Sequence, residues 1–210
     1  GGTTHPYHCF YYRTMKAYKE NIIQDIVGEL GNVGIGSAAT SLSSLLGRQI
    51  LTTTSQVNII DEQTFIQWKD AYEQTIGILF PLEKELNGFA LFLMDEKNIR
   101  EDIASIHGID EQSENDEVLE VLMEISSILI SSYLSAVASY SNLHLKIRQP
   151  AISRDMKESI INEALSNMLM LDDEAIYLIH SLKISHTYDL ILMLSRKSIL
   201  QVLTYLEVRE

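Results

Sequence analysis

Cysteine is nearly absent from the sequence, because Cys9 is the only one among 210 residues. A single thiol cannot form a disulfide within the chain, which excludes a disulfide-stapled extracellular fold. The first residues do not show the pattern of a secretory signal peptide, in which positive charges precede an apolar run. No uninterrupted apolar stretch reaches the roughly 20 residues that cross a bilayer. The longest candidate, residues 125–138, is interrupted by serines. We therefore expect a soluble protein of the reducing cytoplasm, without membrane insertion.

Basic residues are also scarce, with 16 lysines and arginines against 29 aspartates and glutamates, a formal net charge of −13. Such a surface repels phosphate backbones, which excludes nucleic acid as a partner. The sequence has no phosphate-binding glycine loop, no Gly-x-Ser-x-Gly elbow and no Cys-His pair. Its histidines are scattered without a pair at ligand spacing, so we expect no metal site and no cofactor of its own.

What the sequence does contain is the same order of elements twice. Residues 20–210 are predicted to form one domain from two copies of a unit, residues 20–109 and 116–210. Each copy has a long amphipathic helix, three strands and a second helix. Joining the two copies through their sheets gives an α+β fold, in which one antiparallel sheet with pseudo-twofold symmetry is layered with the long helices. Residues 1–19 lack apolar periodicity and are interpreted as a flexible N-terminal extension or tag.

The first long helix is predicted over residues 21–46, with a bend at Gly34 and Gly36. Trp68 and Tyr72, which follow the first strand, are expected to pack in the core or at its rim.

One face of this helix carries a row of polar side chains. Asp25, Glu29 and Asn32 are spaced four and three residues apart, so they lie within a narrow arc of the helix. The apolar stripe points away from that arc, which leaves the three side chains toward solvent. Most such rows on amphipathic helices are simply solvated surface. Here the second long helix repeats the pattern at a constant offset, and that recurrence favours a functional row.

The repeated row consists of Glu120, Glu124 and Ser127. It keeps both acids and replaces the amide with a hydroxyl. Serine reaches less far and has no carboxamide, so we expect this second site to be degenerate.

The motif around the first row resembles the signature of the CheC/CheX/FliY family of chemotaxis phosphatases, and the resemblance extends over the chain from about residue 20. The matching positions are Asp25, Glu29, Asn32, Gly34, Gly36, Ala38, Ala39, Thr40, Leu42 and Ser43.

This resemblance implies a protein that stimulates hydrolysis of the aspartyl phosphate on a CheY-like response regulator. Glu29 and Asn32 would be the catalytic pair, and Asp25 a docking or orienting group. Because the response regulator carries the Mg²⁺ and a lysine, positioning one water in line with phosphorus is the remaining task, and a carboxamide can do that. Some members of the family also have a CheD-like deamidase as a second partner, and the resemblance implies that this protein could have one too.

The family places a proline after each site, and the sequence departs from this in one half. Pro150 stands near that position in the second half, whereas Thr52, Thr53 and Thr54 occupy the strand after the first site. The first half therefore keeps the pair Glu29 and Asn32, and the second half keeps the proline, Pro150. Two readings follow: a phosphatase with one working site, or a non-catalytic adaptor that binds a receiver domain or another signalling protein through the same helix face.

Overall fold

A computed structural model describes residues 6–54, 56–61, 68, 70–108 and 115–207, with side chains described between Lys19 and Thr204. Within these ranges the chain forms five helices and eight strands. In chain order they are α1 (Pro6–Leu46), β1 (Leu51–Thr54), β2 (Asn58–Asp61), β3 (Gln74–Lys84), β4 (Gly88–Asp95), α2 (Glu96–His107), α3 (Asn115–Ser141), β5 (Leu145–Ile147), β6 (Ala151–Met156), α4 (Lys157–Leu169), β7 (Glu174–Lys183), β8 (Thr187–Ser195) and α5 (Arg196–Glu207).

The strands form one antiparallel sheet in which the two halves of the chain exchange their first strands. The central path is β1-β7-β8-β4-β3-β5, with β2 also on β7 and β6 also on β3. Strands β1 and β2 therefore pair with the second half, while β5 and β6 pair with the first. Strands β4 and β8 meet at the centre, where the pseudo-twofold axis passes. The predicted α+β fold with one antiparallel sheet is confirmed.

Both faces of the sheet are buried, which explains the nearly continuous apolar run of β4. Side chains of a strand alternate between the two faces. Ala90, Phe92 and Met94 lie in the core beneath α1, α2, α3 and α5. Phe89, Leu91 and Leu93 alternate with them and lie in a second, smaller core against α4. The molecule thus has a layer of four helices, the sheet, and α4 on the opposite face.

Each half has four strands where the sequence predicted three. The strand predicted over residues 49–60 divides into β1 and β2. In the second half the strand predicted over residues 143–148 contains β5, whereas β6, which follows Pro150, was not predicted. Proline has no backbone N–H for a ladder, so a break at that position is expected. Helix α4 was missed by the sequence analysis, although Ile160, Ile161, Ala164 and Met168 recur along it and are buried.

Helix α1 is longer than the sequence predicted. It begins at Pro6, so the described part of residues 1–19 is helical where we expected a flexible extension. Once a helix is nucleated, each added residue gains a hydrogen bond at little further cost, which accounts for its continuation. The helix also runs without interruption through Gly34 and Gly36, where we expected a bend.

The glycines of α1 serve close packing instead. A Cβ at Gly34 would lie 2.6 Å from the ring of Tyr133 on α3, and a Cβ at Gly31 would overlap Leu178 on β7. Only a residue without a side chain lets the backbone approach this closely. Gly36 is different, because no atom lies within 4 Å of the position of its Cβ.

Trp68 and Tyr72 have different surroundings. The ring of Trp68 lies 6.2 Å from that of Tyr177, in the smaller core, as expected. Tyr72 is 79% exposed, so the prediction that it packs is wrong.

Helix α3 contains a segment, Glu117–Ser141, that is long and apolar enough to cross a membrane, which the sequence analysis did not anticipate. Its apolar side faces the protein, since Val118, Leu122 and Leu129 are buried in the larger core. Glu120 and Glu124 lie exposed along the same helix. Packing against α1 and the sheet accounts for this apolar composition.

Alanine substitutions in α1 separate the two kinds of glycine. We expect Gly34→Ala to lower the free energy of unfolding by about 1–3 kcal/mol, because the new methyl group collides with the buried Tyr133 ring. Gly36→Ala is the matched control, and we expect it to raise the free energy of unfolding by up to about 1 kcal/mol through helix propensity. Urea unfolding of both variants measures this, and equal effects at the two positions would contradict the packing role of Gly34.

Candidate functional site

The polar row predicted on α1 lies on the surface of the folded protein. Asp25, Glu29 and Asn32 are all exposed, whereas Val27 and Leu30 between them are buried. Seven residues of α-helix rise roughly 10 Å and turn by almost two full turns, so Asp25 and Asn32 lie nearly in line along the axis. The row is therefore about 10 Å long and open to another molecule.

Asp25 and Asn32 border a depression between α1, the end of β1 and the loop that follows β1. Its volume is about 380 Å³. The lining residues are Gln24, Asp25, Gly28, Asn32, Thr54, Gln56 and Val57. Gln24 donates a 3.4 Å hydrogen bond from Nε2 to the carbonyl oxygen of Val57, which ties the helix to the loop after β1. The amide of Asn32 thus stands at the rim of a small polar depression.

A chain of hydrogen bonds runs from Thr54, at this depression, to buried residues in the core. Thr54 Oγ1 is 3.0 Å from Nδ1 of His180 on β7, and the Tyr133 hydroxyl on α3 is 2.9 Å from His180 Nε2. Burial lowers the pKa of His180 to about 4 and raises the pKa of Tyr133 far above its ordinary value. A neutral imidazole offers one donor and one acceptor, so both ring nitrogens are satisfied. Thr54, in the strand after the first site, therefore connects β1 to the core.

This chain also supports the turn of α1 that carries the amide. A Cβ at Gly31 would lie 3.2 Å from the His180 ring, so the backbone next to Asn32 rests on that imidazole. Because the packed side of this turn has so little room, Asn32 is held facing outward. The site is built on a rigid element, which favours a side chain that must be positioned accurately.

Glu29 makes a contact of its own, with the other repeat. The hydroxyl of Tyr140, in the last turn of α3, donates a hydrogen bond to Glu29 Oε1. That contact raises the pKa of Tyr140, first through the hydrogen bond and then through the negative charge of Glu29. Glu29 is not among the residues that line the depression, so the acid lies beside it on the helix face.

The second row is placed as the pseudo-symmetry requires, but its third member differs. Glu120 and Glu124 are exposed on α3, and Ser127 is half-buried. The side chain at the position of the amide is thus shorter and also less accessible. The catalytic roles assigned to Glu29 and Asn32, the docking role of Asp25 and the degenerate state of the second row stay predictions.

The sequence analysis named Thr54 only as a residue in the place of the family's proline, and it missed Gln56 and Tyr140. Each reaches the site through tertiary packing across a large separation in sequence, and the contact between Tyr140 and Glu29 spans 111 residues. No local pattern signals such a contact. Over the described ranges from residue 6 to 207, no group of three or more His, Cys, Asp and Glu side chains is arranged to hold a metal ion.

Comparison with known proteins agrees with the resemblance seen in the sequence. The model of the CheC-like family matches residues 22–59, the stretch that holds Asp25, Glu29 and Asn32. The chain is 28% identical over 158 residues to the CheY-P phosphatase CheC of Bacillus subtilis (strain 168), covering 72% of this chain and 76% of that protein.

Solved structures support the same assignment for the fold. Thermotoga maritima FliY matches with a TM-score of 0.66 at 18% identity, over 90% of this chain and 97% of that one. A structure of the FliM-SpeE complex from H. pylori matches with a TM-score of 0.61 at 13% identity, over 87% and 95% of the two chains. The fold is therefore that of the CheC, CheX, FliY and FliM group. In sequence, the chain is similar to CheC-like proteins, both through the family model over residues 22–59 and through the Bacillus subtilis relative.

The buried imidazole behind the site makes stability depend on pH. The pKa of His180 is lowered in the folded protein to about 4, so the unfolded chain binds the proton more readily. The resulting stabilisation is present above the ordinary pKa near 6.5 and is lost as the pH falls toward 4.

We expect the free energy of unfolding of the wild type to fall by about 2 kcal/mol more between pH 7 and pH 5 than that of His180→Gln, which does not titrate. Urea unfolding at the two pH values measures the difference. His107→Gln is the control for loss of an imidazole elsewhere in the protein, since His107 is exposed in the last turn of α2, and this variant should keep the pH dependence that His180 confers. Identical pH dependence in the wild type and His180→Gln would contradict the buried neutral imidazole.

Proposed function

We propose that this protein stimulates hydrolysis of the aspartyl phosphate on a CheY-like response regulator in the cytoplasm, as part of chemotaxis signalling. The observation that carries the proposal is the exposed position of Asn32 beside Glu29, on a helix whose opposite side packs in the core. The name of the Bacillus subtilis relative supports the substrate class.

In this proposal Asn32 positions the attacking water. A carboxamide offers both an acceptor oxygen and donor hydrogens, so it can orient water without acting as a strong base. Phosphoryl transfer depends mainly on alignment and on neutralisation of charge. The exposed amide at the rim of the depression can enter a partner's site, and the rigid turn at Gly31 limits the orientations that it takes.

Glu29 and Asp25 serve the recognition of the partner. Their carboxylates repel free phosphate, but they complement a phosphorylation site that already holds a divalent cation and a lysine. Glu29 would pair with that lysine, and Asp25, one further turn away, would dock or orient the helix. The Mg²⁺ belongs to the response regulator, and we propose no cofactor of the protein's own. A CheD-like deamidase as a further partner stays a prediction.

A second candidate is a non-catalytic adaptor that binds a receiver domain through the same helix face. The half-buried Ser127 favours it, since one of the two rows lacks the amide. The fold is shared with FliY and FliM structures, so the architecture alone does not define an activity.

Release of phosphate from a phosphorylated cognate receiver separates the two candidates. We expect the wild type to accelerate the release and Asn32→Ala to lose about 100-fold of the acceleration, because the water is no longer held in line. Ser127→Ala is the matched control on the second helix, and we expect it to change the rate little. Equal losses from the two variants would contradict the hypothesis that only the first site works. If the wild type leaves the decay of the phosphorylated receiver unchanged, the adaptor function is favoured.

A further inference from the structure

The contact between Tyr140 and Glu29 joins the two repeats at the candidate site. Tyr140 is 56% exposed and stands in the last turn of α3, yet its hydroxyl is directed back to the carboxylate on α1. An exposed tyrosine gains little by burial, so packing alone does not explain this placement. The hydroxyl engages the Oε1 atom of Glu29, which leaves Oε2 for another donor, because a carboxylate accepts several hydrogen bonds.

The sequence of the second row does not allow the equivalent of the hydrogen bond between Tyr140 and Glu29. Helices α1 and α3 run antiparallel, as the contacts Ser41–Ser132 and Glu29–Tyr140 establish. The offset that relates Glu29 to Glu124 relates Leu45 to Tyr140. Leu45 is 43% exposed and cannot donate a hydrogen bond. Glu29 and Glu124 thus have different neighbours across the helix pair. The tyrosine contacts the row that also carries the amide of Asn32.

We propose that Tyr140 is a positioning residue for Glu29, holding the carboxylate on the helix face so that its second oxygen can receive the lysine of the phosphorylated receiver. This inference rests on the proposed function. A glutamate side chain has several rotatable bonds, and fixing it in advance removes part of the entropy cost of pairing with a partner. Charge-assisted hydrogen bonds are the stronger kind, so one phenol can bias these rotamers.

The expected effect is on recognition more than on the chemical step. Glu29 pairs with the partner, whereas Asn32 orients the water. Loss of the Tyr140 hydroxyl should therefore raise the receiver concentration at half-maximal rate and leave the maximal rate nearly unchanged. A general loss of folding would instead reduce the fraction of active protein and lower the maximal rate.

The experiment measures phosphate release against receiver concentration for wild type, Tyr140→Phe and the control Tyr72→Phe. Tyr72 is 79% exposed in the turn before β3, near the start of α4, far from the row in the fold. We expect Tyr140→Phe to raise the half-saturating concentration about fivefold and Tyr72→Phe to leave it unchanged. In a Glu29→Ala background, Tyr140→Phe should have no further effect, since the group that it positions is gone.

A second measurement does not depend on activity. The contact raises the pKa of the Tyr140 phenol, so Glu29→Gln should lower that pKa toward its ordinary value in an NMR titration of ring-labelled tyrosine. An unchanged Tyr140 titration in Glu29→Gln would overturn the contact itself.

Kinetic results overturn the role in two distinguishable ways. If the wild type accelerates phosphate release and Tyr140→Phe behaves like it, the positioning role is wrong while the proposed function stands. If the wild type gives no acceleration, the proposed function fails, and the role of Tyr140 in it fails with it.

Discussion

Close packing of α1 against α3 and β7 is the constraint on which the candidate site depends. Gly31 and Gly34 let the helix backbone rest on His180 and on the Tyr133 ring, which leaves no room for a side chain at these two positions. Because this side of the helix is committed, the opposite side must face solvent, and it carries the polar row with Asn32. The hydrogen-bonded chain from Tyr133 through His180 to Thr54 joins α3, β7 and β1 at the same point.

The exchange of strands between the repeats extends this coupling to the whole molecule. Strands β1 and β2 complete the sheet of the second half, and β5 and β6 complete that of the first, so each half contributes strands to the other. The depression beside Asn32 is formed by α1, by the end of β1, which pairs with β7 of the second half, and by the loop after β1. The two rows therefore lie on one cooperative framework, although they have diverged in sequence: one retains an amide and faces a tyrosine of the other repeat, whereas the other has a half-buried serine.

Local patterns in the sequence predict a large part of this fold. The helical period places Asp25, Glu29 and Asn32 on one arc, and the structure leaves all three exposed. Such a prediction succeeds because an apolar stripe and the polar face opposite it are determined within a few helical turns. The repeat predicts the α+β sheet. The exchange of β1 and β5 between the halves could not be predicted, since it depends on pairing across long separations. The contact between Tyr140 and Glu29 is likewise tertiary, and Gly34 was misread as a bend because its neighbour Tyr133 lies on another helix.

The central claim is that Asn32 enters the phosphorylation site of a receiver domain. The most direct measurement is the side-chain amide NMR signal of Asn32 when a receiver activated with beryllofluoride, a phosphoryl mimic, is added. Asn162, exposed on α4 across the sheet, provides the reference signal. We expect the Asn32 signal to shift on addition of the activated receiver and the Asn162 signal to stay in place. An Asn32 signal that stays in place while the receiver binds elsewhere on the protein would contradict it.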